Sequence, residues 1–159
     1  MLKKITVMVS LALLYTGCAS VPPVQDMRQV GQIKQFNPPS ADHAALYLFR
    51  SNSAFGSALK KDLWVDGKCI GETARGTFFY TEVMGNQEHQ ISTESEFGPN
   101  HLNLYTETGK NYFVQQYIKL GVFVGGANLK IVDEQAGQQM VQNLTLAESG
   151  YCSKPSLSD

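Results

Sequence analysis

His43, His89 and His101 are the residues best suited to acid–base or metal chemistry, and their spacing supports neither. A zinc site needs ligands at short, regular intervals, and the chain contains no His-Glu-x-x-His and no Cys-x-x-Cys. If the strands around Phe97 form a hairpin, turn symmetry sets His89 opposite Tyr105 and His101 opposite Thr93, which displaces the two imidazoles along the hairpin. Surface or turn roles are expected for all three. Glu94 and Glu96 stand at a strand end, where solvated acids are ordinary. Ser51, Ser53 and Ser57 lack the Gly-x-Ser-x-Gly elbow that presents a nucleophile. Gly121, Gly125 and Gly126 lack the Lys-Ser or Lys-Thr ending and the following helix of a phosphate loop. No catalytic, cofactor-binding or metal-ligating residue is assigned, and the chain reads as non-enzymatic.

The three cysteines carry more. Lys3 and Lys4 precede the apolar run Ile5 to Leu14, which is shorter than the roughly 20 residues a membrane span needs. Tyr15-Thr16-Gly17-Cys18 then resembles the lipobox of bacterial lipoproteins, with Tyr15 where Leu is usual. That resemblance implies removal of residues 1–17 and lipidation of Cys18. Ala19 after the cysteine implies release to the outer membrane, facing the periplasm. Cys69 and Cys152 are left in an oxidising compartment. Either they form a disulfide that pins the C-terminal tail, or Cys69 is a small buried hydrophobe and Cys152 sits on a loose terminus.

Charge narrows the partners. The chain has 13 basic and 14 acidic residues; without Lys3 and Lys4 the balance is 11 against 14, a net charge of −3. Such a chain lacks the basic footprint of a nucleic-acid binder. With 43% hydrophobic and 17% charged residues it is globular in composition rather than disordered.

These residues must be positioned by β-structure. Residues 18–42, with Pro22-Pro23 and Pro38-Pro39, read as a mostly extended tether in which Met27 to Phe36 adds at most an irregular edge. Residues 43–146 read as the domain and 147–159 as a tail. Ala45 to Phe49 is apolar in both phases, as in a strand covered on both faces. Asp66-Gly67 between two short apolar runs is a strong hairpin signal. Further strands are expected at 77–83, 89–94, 102–105, 111–120 and 128–132. Eight short strands predict a mainly all-β fold, an antiparallel β-sandwich or partly closed barrel. Ala136, Met140, Val141 and Leu144 recur at helical spacing and predict one short C-terminal helix.

The blocks Tyr47-Leu48-Phe49-Arg50, Val65-Asp66-Gly67-Lys68, Ile70-Gly71-Glu72-Thr73, Gly109 to Val114 and Ile131 to Glu134 resemble a bacterial envelope family, domain of unknown function 2846, over roughly Asp42 to Leu144. The Asp-Gly-Lys-x-Ile-Gly hairpin is also similar to PEGA-type sandwich modules. The resemblance implies a small lipoprotein and carries no reaction.

In an eight-stranded sandwich, alternate connections share one pole. Segments 51–60, 74–76, 95–100 and 121–127 place Phe55, Arg75, Phe97, Val122 and Phe123 at one end. These side chains either fold back to plug the sandwich or form a binding rim. The expected function is an envelope lipoprotein that binds a protein partner or cell-wall component, attached to the membrane by its lipid. A carrier of a small hydrophobic ligand in the sandwich mouth is the alternative, and a periplasmic hydrolase a distant third.

Overall fold

The computed structural model describes residues 19–154; Cys18 and the segment 1–17 lie outside the described residues, as do residues 155–159. The chain runs through α1 (Met27–Ile33), β1 (His43–Arg50), β2 (Lys61–Val65), β3 (Lys68–Thr73), β4 (Thr77–Met84), β5 (Gln87–Thr93), β6 (Asn100–Thr106), β7 (Asn111–Lys119), β8 (Gly126–Val132), α2 (Glu134–Gln142) and β9 (Thr145–Leu146). One sheet has the order β8-β7-β1-β4-β9 and the other β3-β2-β5-β6. The fold is a mainly β sandwich whose sheets remain separate rather than closing into a barrel.

The double apolar phase of β1 follows from its central place. Leu46 and Leu48 face the second sheet and pack with Leu63, Phe79, Ile91 and Val114. Ala45, Tyr47 and Phe49 face the other way, into a cluster with Phe78, Phe113, Val141 and Leu146 beneath the helices. The first sheet is mixed rather than wholly antiparallel: β1 pairs antiparallel with β4 but parallel with β7, and β4 pairs parallel with β9. Chain direction reverses at each connection from β1 to β8, so the first and seventh strands run alike and meet side by side, and the crossover through α2 brings β9 back parallel to β4.

Asp66 and Gly67 turn the β2–β3 hairpin with φ of 49° and 75°, the left-handed pair expected of an Asp-Gly turn. The β5–β6 hairpin corrects the expected register by one residue. His89 lies opposite Leu104 and His101 opposite Ser92, because the turn centres between Glu96 and Phe97 and not on Phe97.

The segment read as an extended tether is also corrected. Asp26 caps α1 by accepting from Arg28 N at 2.9 Å, and Val30, Ile33 and Phe36 pack on the outer cluster. The Phe36 ring meets Tyr47 and Phe113 at centroid distances of 5.3 and 5.7 Å. Lys34 Nζ donates to the carbonyls of Gln142 and Leu144 at 2.9 and 2.7 Å, satisfying acceptors at the end of α2. At the start of α2, Asp133 accepts from Ala136 N at 3.0 Å. Gly137 lets this helix lie on Phe113, since a Cβ there would stand 2.3 Å from the ring.

The C-terminal tail is part of the domain. Ala147 is buried, and Cys152 is joined to Cys69 with the Cα atoms 6.0 Å apart. The fully buried Asp62 carboxylate accepts from Ser153 N at 3.0 Å and Lys154 N at 3.1 Å. Trp64 Nε1 donates to Lys154 O at 3.0 Å, so the tail lies over the outward residues of β2.

Candidate binding rim

The loops β1–β2, β3–β4, β5–β6 and β7–β8 share one end of the sandwich, because the strands alternate in direction. Phe97 and Phe123 are 80% and 83% exposed, Val122 is 74% and Phe55 53%. Arg75 lies at the same end on the β3–β4 turn, half-buried, where Gly76 N donates to Arg50 O at 3.1 Å. The aromatic and aliphatic side chains therefore stand outward and do not plug the sandwich. Leu120 (83% exposed) and Val124 join them. Sequence reasoning passed over both because Leu120 reads as the end of a strand and Val124 as loop filler.

Two buried or locally engaged charges hold these loops in shape. The Glu96 carboxylate accepts from the backbone N–H of Val122 at 2.7 Å, of Val124 at 3.1 Å and of Phe123. It welds the β5–β6 turn to the β7–β8 turn. Arg50, 3% exposed, donates Nη1 to Leu59 O at 2.6 Å and Nη2 to Gly56 O, which shapes the β1–β2 loop from beneath. Burial pushes the Arg50 pKa down from its ordinary value. The three loops also touch: a Cβ on Gly125 would meet Leu59, and one on Gly126 would meet Ser95 Oγ at 2.5 Å.

Desolvation under the loop pushes the Glu96 carboxyl up, but the N–H donors of Phe123, Val122 and Val124 and the charge of Lys119 outweigh it, so its pKa lies below the usual value. The sign follows: the tie is complete above the ordinary carboxylate range and is lost as pH falls through the depressed value. Acidification is expected to lower the protection factors (exchange relative to the intrinsic rate at the same pH) of the Val122, Phe123 and Val124 amides while leaving those of β1 unchanged. Unchanged protection factors at those three amides in acid would remove Glu96 as the clasp.

The mouth beneath the rim is filled. Gln116, fully buried, donates Nε2 to Thr93 Oγ1 at 2.7 Å, and its Oε1 accepts from Thr73 Oγ1, which links the two sheets. Thr93 Oγ1 donates onward to Asp62 O at 3.1 Å. A notch of about 120 Å³ remains beside Arg50, Phe55 and Ile118, well under the ~300 Å³ at which small-molecule sites begin. A larger open cleft of about 370 Å³ lies beside the rim, between Trp64, Glu94, Phe97 and Lys154.

The candidate chemical residues are occupied elsewhere. His89 is 3% exposed, which corrects the expected surface or turn role. Its Nδ1 meets Asp66 Oδ2 at 2.7 Å and its Nε2 meets Met84 O at 2.8 Å, bracing the Asp-Gly turn from the far end of the sandwich. His101 Nδ1 pairs with Ser92 Oγ at 2.7 Å, and His43 Nδ1 with Ala41 O at 2.7 Å. Among the described residues no group of three or more His, Cys, Asp or Glu side chains is arranged to hold a metal ion. Cys18, the expected lipidation site, lies outside the described residues.

Fold and loops together define a helix-backed β-sandwich with an apolar rim at one pole. The chain belongs to the family described as "Protein of unknown function (DUF2846)", which matches residues 40–127. The match ends inside β8, short of α2, whereas the sequence resemblance was expected to reach Leu144. The chain is also similar to an "Uncharacterized protein" of Haemophilus influenzae, 48% identical over 141 residues, covering 89% of this chain and 82% of the relative. No solved structure matches the chain.

Proposed function

We propose that this protein is a non-enzymatic lipoprotein of the bacterial envelope, and that its sandwich is a binding module whose rim contacts another envelope component. The observation that carries the reading is the rim itself: six large apolar side chains stand in solvent on three loops that Glu96 and Arg50 hold in place. Loops built this way present a surface; they do not fill a core. The Cys69–Cys152 bond supports an exported, oxidising location, and the lipobox-like Tyr15 to Cys18 supports lipid attachment. The engagement of every histidine in a local hydrogen bond favours binding over catalysis, and the filled mouth favours surface contact over a carrier's interior cavity.

In bacterial cells fed a labelled fatty acid, the parent chain is expected to carry the label and to fractionate with membranes. Cys18→Ala is expected to lose the label entirely and to leave the signal segment uncut. Normal maturation of Cys18→Ala, with continued membrane fractionation, would sink the lipoprotein reading.

A further inference from the structure

We infer that the rim rests on the lipid leaflet that holds the anchor, its exposed Phe, Leu and Val side chains dipping among the head groups. The inference rests on the lipoprotein reading and names the occupant of the same rim.

The carrying observation is where the described chain begins. Ala19 N donates to Ser57 O at 3.2 Å, and Ser57 belongs to the β1–β2 loop that presents Phe55. Consecutive Cα atoms are about 3.8 Å apart, so Cys18 is bonded to a residue that already sits on the rim loop. The segment that follows is no spacer. Val21 packs against the inter-sheet core, Pro23 bridges to Ala147, and Glu148 N donates to Pro22 O at 2.9 Å. Val24 N donates to Leu146 O at 2.9 Å. The chain from Ala19 to Val24 is thus fixed along the edge of the sandwich, with Pro22 to Val24 running antiparallel to Leu146 to Glu148 before α1 begins.

An acyl group on Cys18 therefore enters the leaflet beside the rim, not at the end of a long leash. A protein partner seated on the rim would have to fit between these loops and the membrane surface that the anchor holds against them. The lipid interface needs no such space. It also suits the composition: Phe97, Leu120, Val122 and Phe123 offer apolar tips, while Arg75 and the exposed Lys119 stand at the same end, able to reach phosphate groups. The acyl chains hold the molecule at the surface, and the rim sets its attitude: strands upright and the far turns at Asp66-Gly67 and Gly85-Asn86 pointing away from the membrane.

The test uses the full mature chain, acylated at Cys18, in phosphatidylethanolamine–phosphatidylglycerol vesicles with and without brominated acyl chains. Phe123→Trp and Phe97→Trp place a reporter on two rim loops. Tyr105→Trp, exposed near the far end of β6, is the control, and the buried Trp64 of the parent chain is the background. Both rim reporters are expected to shift to shorter wavelength and to lose most of their emission in brominated vesicles, while Tyr105→Trp keeps its own. Vesicle-bound, acylated protein whose rim reporters keep a water-exposed spectrum would overturn the inference while leaving the lipoprotein reading intact. Rim reporters shielded in native envelopes but not on lipid vesicles would give the rim to a protein, and would also overturn it. Intact mass showing no acyl group on Cys18 would overturn the lipoprotein reading, and this inference with it.

Discussion

Replacing Cys69 and Cys152 together by Ala is expected to lower the unfolding free energy by about 4.5 kcal/mol, the chain-entropy value for a loop of this size. The bond closes a sequence separation of 83 residues, so its loss restores a large ensemble to the unfolded chain. Native contacts of the tail persist without it. Glu72 N donates to Tyr151 O at 2.7 Å and Gly150 N to Ile70 O at 2.8 Å, while Asp62 still accepts from the backbone of Ser153 and Lys154. The double variant should therefore fold with its tail docked, and the loss should appear as a lower denaturant midpoint. Urea melts of parent and variant under non-reducing conditions measure it. Coincident midpoints would mean that the bond contributes nothing to the stability of the domain.

Phe113→Ala is expected to cost about 3–5 kcal/mol, the range for truncating a fully buried Phe. Phe113 stacks on Tyr47 at 4.7 Å with planes 12° apart, meets Phe36 edge-on, and receives α2 at Gly137. One ring thus touches β1, the segment after α1, and α2. Its removal leaves a cavity that the β-sheet cannot close and that only the helices could collapse into. Tyr47 would lose the nearer of its two stacked neighbours, keeping Phe78 and still donating its hydroxyl to Ile33 O at 3.0 Å. Denaturant melts give the magnitude, and amide exchange should show α1 and α2 loosening before the strands. A cost below about 1 kcal/mol would show that the helices dock without this ring.

The sandwich was legible because its strands are short, β-branched or aromatic, and separated by turn residues with a physical reason to be there. Asp66-Gly67 is the clearest case, and the burial of β1 on both faces was readable from Ala45 to Phe49. The shared pole of Phe55, Arg75, Phe97, Val122 and Phe123 followed from counting reversals, although composition alone could not distinguish outward loops from a plug. What decides that is Glu96, whose clasp on three amides depends on two distant turns meeting in space. Helix α1 escaped notice because it spans only seven residues with Gly31 inside, and its apolar stripe of Val30, Ile33 and Phe36 makes sense only against Tyr47 and Phe113. His89 was expected at the surface or in a turn because its spacing offers no ligand set; its actual partners, the Asp66 carboxylate and the Met84 carbonyl, come from two separate turns. Asp62, an acid inside a strand, showed no sign that its partners were backbone amides some ninety residues away.

The first and last stretches of the chain complete one another. Val24 is bonded to Leu146, Lys34 to Gln142 and Leu144, and Cys69 to Cys152. A polypeptide that emerges N-terminus first cannot make all of these joins until residues 142–152 have appeared. Until then β4 lacks its β9 neighbour, α1 has no α2 to lean on, and the thiol of Cys69 waits unpartnered. Completion of the domain therefore waits for residues 142–152, and no earlier stretch of the chain can close it alone.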